Sequence, residues 1–88
     1  MDIKDLRHFV AVYEAKGFQR AAIQLNTAQS NVSTRIKNFE TLIGAQLFER
    51  RPNGSVPTRK ARLLYRYAKR VIVLVDQTEE VLRRRDAA

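Results

Sequence analysis

The residues best suited to chemistry form a polar row on one predicted helix near the middle of the chain. A helix turns by about 100° per residue, so positions three and four apart share a face. One face carries the apolar residues Val32, Ile36, Phe39 and Ile43. The opposite side carries Ser30, Thr34, Lys37 and Thr41, with Gln29 and Ser33 beside them. Short donors and acceptors with one cation read base edges or hold phosphates, although an ordinary helix with a solvated polar face shows the same pattern.

Positive charge is concentrated in the same part of the chain. The 88 residues include 17 Lys and Arg against 9 Asp and Glu, a net charge of +8. Residues 16–70 carry a net charge of +10, whereas the segments before and after them each carry −1. A folded surface of this kind favours a polyanionic partner, because binding releases the counterions condensed on that polyanion. A basic surface kept for solubility is the alternative.

The composition excludes most catalytic classes. The chain has no cysteine, so it has no thiolate nucleophile and no Cys-based metal site. Its one histidine, His8, leaves almost nothing for Ser-His catalysis or His-based metal ligation. We therefore expect no enzyme activity and no cofactor. The longest apolar runs are five residues, far below the ~20 that span a bilayer, and the first residues do not form a signal peptide. A cytoplasmic protein, associated with the nucleoid through DNA, is expected.

Helical periodicity and end signals predict three helices before residue 45. Apolar spacing indicates a first helix over about residues 3–15, which Gly17 would end in the left-handed conformation. A short second helix would end at Asn26. Thr27 is a suitable N-cap for the third helix, which would run to Gly44.

A small basic hairpin is predicted after the third helix. Residues 47–50 read as a strand, and Asn53-Gly54 favours a hairpin turn because both residues tolerate positive φ. Two helices joined by a tight turn and followed by such a hairpin are typical of a winged helix-turn-helix, whose second helix of the pair enters the DNA major groove. The predicted fold is mainly α, with three helices and a small β-hairpin wing ahead of a long dimerisation helix.

The last part of the chain predicts one long helix with an unburied apolar stripe. Thr58 can cap a helix that runs to about Arg85, roughly 40 Å at 1.5 Å per residue. Its heptad positions are Leu64, Tyr67, Val71, Leu74, Thr78 and Val81. A second set, Ala68, Val75 and Leu82, widens the stripe. Because the stripe is longer than the preceding domain can cover, we expect a homodimer that pairs through residues 59–85.

Several sequence runs together resemble a known family. They are the residues 6–12 (LRHFVAV), 21–25 (AAIQL), 28–33 (AQSNVS), 36–40 (IKNFE) and 43–50 (IGAQLFER). The chain resembles, over essentially its whole length, the N-terminal DNA-binding domain of LysR-type transcriptional regulators. The resemblance implies a winged helix-turn-helix domain over residues 1–58 and a linker and dimerisation helix over residues 59–88. It places the helix-turn-helix at about residues 18–37 and the wing at about residues 46–57.

The same resemblance implies a function. The chain would bind double-stranded DNA sequence-specifically in transcriptional regulation, as a homodimer on an operator built as an interrupted inverted repeat. Members of the family also have a C-terminal effector-binding domain, and this chain is too short to include one. A small-molecule effector would therefore act only through that missing domain, and no membrane partner is expected.

The resemblance also assigns DNA contacts to Gln29, Ser30, Ser33, Thr34 and Lys37, and it places Arg50 just before the wing. The candidate DNA-binding residues are Arg20, Gln29, Ser30, Asn31, Ser33, Thr34, Lys37, Arg50, Arg51 and Asn53. Ser30 stands where the family usually has proline. Thr34 stands where arginine is common, so specificity would depend on DNA shape or on Arg35, whose stem could instead pack on a neighbouring helix. The family's wing arginine aligns with Asn53, and Arg51 lies two residues earlier, so either residue is a candidate for the minor groove.

Two other functions fit parts of the pattern. The long helix could bind a protein partner, with the basic face incidental, and this would differ from DNA binding in its weaker salt dependence. The long helix could also lie on an anionic membrane, but a valine-rich stripe without Trp, attached to a folded domain, disfavours this reading.

Overall fold

The architecture is described by a computed structural model in which residues 1–84 are placed. The elements are α1 (Ile3–Ala15), α2 (Phe18–Gln24), α3 (Gln29–Ile43), β1 (Phe48–Arg51), β2 (Gly54–Pro57) and α4 (Arg59–Arg83). The predicted mainly α fold with a small hairpin is confirmed. Three predictions lie outside the described residues: the helix end at Arg85, the part of the pairing segment beyond residue 84, and the domain limit at residue 88.

Helix α1 begins with reciprocal capping by two aspartates. The Asp2 side chain accepts a hydrogen bond of 2.8 Å from the Asp5 N–H, and the Asp5 carboxylate accepts one of 3.2 Å from the Asp2 N–H. The bond from the Asp5 N–H holds the pKa of Asp2 below its usual value. These bonds satisfy N–H groups that a helix start leaves without acceptors.

Helix α1 ends at Ala15, as predicted, but its left-handed residue lies one position earlier than expected. Lys16, not Gly17, adopts the left-handed conformation, with φ 59°. Gly17 is extended, with φ −179°, and serves as the N-cap of α2. The prediction for Gly17 was therefore wrong. Glycine adopts positive φ most easily, but other residues can adopt it too. Lys16 does so here, and its N–H still donates a hydrogen bond to the Val12 carbonyl.

The turn between α2 and α3 confirms one end signal and contradicts another. Asn26 has φ 54°, as expected for a residue that ends a helix. The N-cap of α3 is Ala28 rather than Thr27, and its side chain makes no capping hydrogen bond. The Thr27 hydroxyl, one residue before the N-cap, instead accepts a hydrogen bond of 3.0 Å from Asn31 Nδ2. At the other end of α3, Gly44 has φ 68°, as predicted.

Strands β1 and β2 form the hairpin, called the wing below, and its turn differs from the prediction. The register pairs Arg51 with Gly54, which leaves Pro52 and Asn53 as the two-residue turn. Only Gly54 has positive φ, 138°, so the expected positive φ at Asn53 was wrong. Proline fixes its own φ near −65°, so Pro52 cannot adopt positive φ. The residue with positive φ is instead Gly54, which follows the turn.

Gly54 also lies against the end of α1. A Cβ at this position would be 2.5 Å from the Lys16 carbonyl oxygen, and the next residue, Ser55, donates its N–H to the same oxygen at 3.1 Å. Both positive φ and close approach therefore require glycine here.

A second tie joins the wing to α3 and α4. The Glu40 carboxylate accepts hydrogen bonds from the N–H groups of Leu47 at 2.7 Å and Phe48 at 3.2 Å. The Thr58 hydroxyl donates to the Gln46 carbonyl at 2.7 Å and accepts from the Ala61 N–H at 3.3 Å. Thr58 therefore caps α4, as predicted, and also fixes the start of the wing.

The hydrophobic core lies between α1, α2, α3 and the wing, and α4 closes one side. Phe9 sits at its centre, with ring centroids 6.4 Å from Phe39 and 5.6 Å from Phe48, and Phe18 packs edge-on against Phe48. The largest fully buried side chains are Phe9, Phe39, Ile36, Leu47, Val12 and Val32. The apolar face predicted for α3 is thus confirmed as the buried one.

Helix α4 uses two faces, and this corrects part of the predicted stripe. Ala61 and Ala68 are buried in the core, and Leu64 packs partly against it. Placing Ala68 beside an unburied seam was therefore wrong, because that face of α4 covers α1. Tyr67 and Leu74 remain 56% and 64% exposed. The first half of α4 is thus part of the folded body, although the predicted domain boundary falls before it.

Helices α1 and α4 also meet through polar side chains. The Tyr65 ring stacks on Tyr13 with centroids 4.1 Å apart, and its hydroxyl donates to the Glu14 carboxylate. Lys69 Nζ is 3.1 Å from the same carboxylate. The bond from Tyr65, reinforced by Lys69, lowers the pKa of Glu14, and the bond to Glu14 raises the pKa of Tyr65 to about 12.

Replacing Gly54 should destabilise the fold more than replacing the other left-handed glycine. Gly54→Ala forces a Cβ against the Lys16 carbonyl and should lower the free energy of unfolding by about 3 kcal/mol. Gly44→Ala is the matched control, since nothing lies within 4 Å of its Cβ, and it should cost only about 1 kcal/mol for the conformation. Chemical denaturation of both variants measures the difference; equal costs would contradict the close contact.

The Glu14 contact predicts a specific acid dependence. A lowered pKa in the folded state means that the carboxylate stabilises the fold above its unfolded pKa, near 4.5, and that this contribution is lost as the pH falls through the folded pKa. Glu14→Gln should therefore be less stable than the unmodified chain at pH 7, by under about 1 kcal/mol for so exposed a pair, and equally stable at pH 2. Thermal unfolding at both pH values measures this, with Glu79→Gln as the control; a gap that persists at pH 2 would contradict it.

Candidate nucleic-acid interface

The polar face of α3 is open to solvent along its length. Gln29, Ser30, Thr34 and Lys37 are exposed and Ser33 is half-buried. The core residues of α3 point the other way, so the predicted division of this helix into two faces is confirmed. The result is a row of hydroxyl, amide and ammonium groups that a ligand can reach directly.

The N-terminus of α3 adds backbone donors to this row. Helix starts carry N–H groups that lack an acceptor within the helix. In the described part of the chain no side chain caps α3, because its N-cap is Ala28. These N–H groups, at Gln29 and Ser30, lie beside the polar face, where they and the positive end of the helix dipole favour a phosphate.

Two grooves separate α3 from the wing. The first lies between the starts of α2 and α3 and the wing tip, and its polar lining includes Gln19, Arg20, Gln29, Arg50, Arg51 and Asn53. The second lies between the middle of α3 and the base of β1, and its polar lining includes Ser33, Thr34, Lys37, Glu40, Gln46 and Arg50. Arg50 borders both grooves. The structure brings eight of the ten predicted DNA-binding residues to these two grooves, all except Ser30 and Asn31.

The two wing arginines point to different places because neighbouring residues on a strand face opposite sides. The Arg50 guanidinium lies 4.0 Å above the ring of Phe18, between the two grooves. Arg51 pairs with Glu49, two residues back on the same strand, at 3.1 Å. Arg50 is therefore held in place by the core, whereas Arg51 is held by an exposed carboxylate that a phosphate could displace.

Arg20 is occupied by backbone contacts. Its Nε donates to the Ala15 carbonyl and its Nη2 to the Lys16 carbonyl, both at 2.7 Å. These bonds satisfy carbonyls at the end of α1, which accounts for the residue structurally. Its predicted contact with DNA stays a prediction.

Two polar residues at the edge of α3 also have partners within the chain. Asn31 donates to Thr27, so its amide is turned toward the preceding turn. Arg35 pairs with Asp5 at 2.8 Å and lies 3.9 Å from Asp2. Arg35 was expected either to reach DNA or to pack on a neighbouring helix, and in the structure it packs against α1. Asn31 stays a predicted contact.

Sequence reasoning did not identify three residues of this surface. Gln19 and Gln46 line the grooves, and Glu49 holds Arg51. The position of Gln19 in the first turn of a helix, and the spacing of Glu49 two residues before Arg51 in a strand, were signals for two of them. Gln46 had no such signal, because its place depends on its bond to the Phe48 carbonyl.

The predicted dimerisation residues divide along α4. Exposed apolar side chains are Tyr67, Val71, Leu74 and Val81. Thr78 is exposed and returns its hydroxyl to the Leu74 carbonyl at 2.7 Å, while Leu64 packs partly on the core. Five of the six residues therefore form one exposed stripe, called the α4 stripe below.

Other kinds of site are not found in the described residues. Across positions 1–84, none of the helices combines the length and apolar character required to cross a membrane. The same residues contain no cluster of three His, Asp or Glu side chains that could hold a metal ion.

Comparison with known proteins assigns the family. The family described as "Bacterial regulatory helix-turn-helix protein, lysR family" matches residues 3–62. The chain belongs to this family. The resemblance drawn from the sequence is thereby confirmed, and the chain is a DNA-binding domain of the LysR type.

Curated relatives are transcriptional regulators. The chain is 37% identical over 84 residues to the HTH-type transcriptional regulator BenM of Acinetobacter baylyi, covering 96% of this chain and 28% of BenM. It is 40% identical over 72 residues to the regulator XapR of Escherichia coli, covering 82% of this chain and 24% of XapR. The chain thus spans about a quarter of the length of these relatives. They are regulators rather than enzymes, which confirms the expectation that this chain is not an enzyme.

Solved structures of the family share the fold. The BenM DNA-binding domain in complex with catB site 1 DNA superposes with a TM-score of 0.89 at 36% identity, covering 93% of this chain and 92% of that one. The CbnR DNA-binding domain in its DNA complex gives 0.89 at 26% identity, covering 94% and 95%. Full-length BenM gives 0.87 at 37% identity, covering 96% of this chain and 28% of that one. The winged helix-turn-helix architecture is confirmed.

Proposed function

We propose that this chain binds double-stranded DNA sequence-specifically in transcriptional regulation, with α3 in the major groove. The observation that carries the proposal is the open polar face of α3, which starts at an uncapped helix N-terminus and lies between two grooves lined by Arg50. The net charge of +10 over residues 16–70 supplies the general attraction to phosphates. DNA complexes of the BenM and CbnR domains support it by analogy.

Within this proposal, side chains of different length and type on α3 contact different parts of the DNA. Gln29 and Ser33, at the N-terminal end of α3, contact base edges through an amide and a hydroxyl. Lys37, one turn further on, contacts a phosphate as a point charge. Thr34 is too short to make a bidentate contact with guanine, so part of the specificity comes from DNA shape and deformability.

The wing supplies the second contact. Its tip at Asn53 approaches the minor groove, and Arg50 enters the backbone region between wing and α3. Arg51 reaches DNA by exchanging Glu49 for a phosphate, which costs little because the pair is exposed on both sides. The two arginines therefore serve different strands or different phosphates.

The exposed α4 stripe makes the protein a homodimer. Leaving several large side chains in water forfeits about 25 cal/mol per Å² of apolar surface, and a second copy recovers it. A two-fold axis through this pairing presents two recognition helices to two half-sites, about one helical turn apart or a multiple of it. The operator is therefore an interrupted inverted repeat.

Effector control belongs to the part of the relatives that this chain does not span. A small-molecule effector would bind a further domain and act on DNA through α4. Binding to the chromosome places the regulator in the cytoplasm, at the nucleoid.

Variants of α3 test base reading. An operator is first recovered by selection from a random duplex pool, and affinities are then measured on it and on random DNA by fluorescence anisotropy. Gln29→Ala and Ser33→Ala should each cost about 1 to 3 kcal/mol on the operator and little on random DNA. Gln24→Ala is the control, since this exposed residue lines neither groove. Equal losses on both kinds of DNA would show that these residues only hold phosphates, and a binding constant insensitive to salt would contradict DNA binding itself.

A charged residue in the α4 stripe tests the dimer. Leu74→Lys should raise the dissociation constant of the dimer and weaken operator binding, because an ammonium group would be buried at the pairing surface. Val73→Lys is the matched control: it is the next residue, 49% exposed, and points about 100° away around α4. Sedimentation equilibrium measures association, and circular dichroism checks folding. Equal effects of the two variants, or a monomeric unmodified chain at micromolar concentration, would contradict the stripe as the pairing surface.

A further inference from the structure

We propose that the polar contacts between α1 and α4 set the separation of the two half-sites that the dimer recognises. The contacts are the pair Arg7–Asp76 and the cluster of Glu14 with Tyr65 and Lys69. This inference rests on the proposed function, because it concerns the dimer formed through the α4 stripe. It assigns these residues a positioning role, away from DNA and away from the pairing surface.

Two faces of one continuous helix carry the argument. Ala61 and Ala68 face the body and are buried, while Tyr67 and Leu74 face outward in the α4 stripe. Helix α4 runs without interruption from Arg59 to Arg83. The angle at which α4 lies on α1 therefore decides where the second copy, and its recognition helix, must lie.

The apolar part of this contact leaves that angle weakly determined. The fully buried residues of α4 are alanines, which allow close approach but offer no long side chain to interlock with ridges of α1, and the larger Leu64, Tyr65 and Ile72 pack only partly against the core. The rings of Tyr13 and Tyr65 are stacked with an interplanar angle of 11°, and flat stacked surfaces resist sliding poorly. Directional polar contacts therefore add to this packing in holding the angle.

The polar contacts are placed at both ends of the α1–α4 contact. Arg7 Nη2 lies 2.6 Å from Asp76 Oδ1, and Lys69 Nζ lies 3.1 Å from Glu14 Oε2. Arg7 and Glu14 are seven residues apart on α1, about 10 Å along the axis. Two attachments at separate points oppose a swing of α4 across α1, whereas one attachment acts only as a pivot.

A small swing would be enough to matter for DNA. At a radius of 25 Å, the second dimension of the molecule, a rotation of about 8° moves a group by about 3.4 Å, the rise of one base pair. Each polar contact is substantially exposed, so each is weak alone. The expected effect is therefore a several-fold change in preference and not a loss of binding.

The experiment measures the preference for half-site separation. Synthetic duplexes carry the selected half-site as an inverted pair, with the separation lengthened or shortened by one base pair, and a further duplex carries one half-site. In the double variant Arg7→Ala with Glu14→Gln, the ratio of affinities for the preferred and altered separations should fall about 3- to 10-fold. Affinity for the single half-site and the dimer dissociation constant should stay unchanged.

Two controls separate positioning from general destabilisation. Arg84→Ala removes a similarly exposed ion pair, with Glu80 at 3.8 Å, at the C-terminal end of α4 and without a partner on α1, and it should leave the ratio unchanged. Arg7→Asp should lower the ratio, and adding Asp76→Arg should restore it by re-forming the pair in reverse. A residue that only stabilises the fold would not show this rescue of separation preference.

The possible failures can be told apart. A dimeric double variant that keeps the unmodified ratio would overturn the positioning role, and so would an unmodified dimer that binds all separations equally. A monomeric unmodified chain would overturn the proposed dimer and this inference with it. If the unmodified chain does not bind the single half-site, the result would instead overturn the proposed DNA function.

Discussion

The arrangement of the candidate nucleic-acid interface depends on one backbone carbonyl, that of Lys16. Its oxygen accepts hydrogen bonds from the Ser55 N–H at 3.1 Å and from the Arg20 guanidinium at 2.7 Å. One atom thereby joins the end of α1, the first turn of α2 and the second wing strand. The bonds exist only because Lys16 takes the left-handed conformation and because Gly54 has no side chain. Without them the wing would be attached to the body through β1 alone.

The Glu40 carboxylate complements this junction from the other end of the wing. It receives two N–H groups at the start of β1, while the Lys16 carbonyl receives one from the start of β2. A two-stranded hairpin alone is marginally stable in water, so attachment at both strands gives it a defined place. Arg50 can then rest on Phe18 and face both grooves. The position of this positive charge at the interface thus depends on hydrogen bonds inside the protein.

Local patterns predicted the elements, and tertiary contacts decided the rest. The 3.6-residue apolar spacing and the Thr58 cap identified α3, its buried face and the start of α4, because these signals act within a few residues. The left-handed residue at Lys16 could not be predicted, since its bonds come from partners up to 39 residues away. The same holds for Ala68, whose burial depends on where α1 lies. In the interface, residue types indicated the polar face of α3, but not that Arg20 would serve the backbone.

The uninterrupted course of α4 has a consequence for how this protein family can change in length. A single inserted residue between Ala68 and Leu74 would rotate everything beyond it by about 100° and advance it by about 1.5 Å. In the proposed dimer the change would occur twice, so both the proposed pairing surface and the phase of the two recognition helices around DNA would be altered together. Loops on the surface tolerate such events, but this helix does not. Insertions and deletions in this helix should therefore be seven residues long, or should lie beyond the α4 stripe.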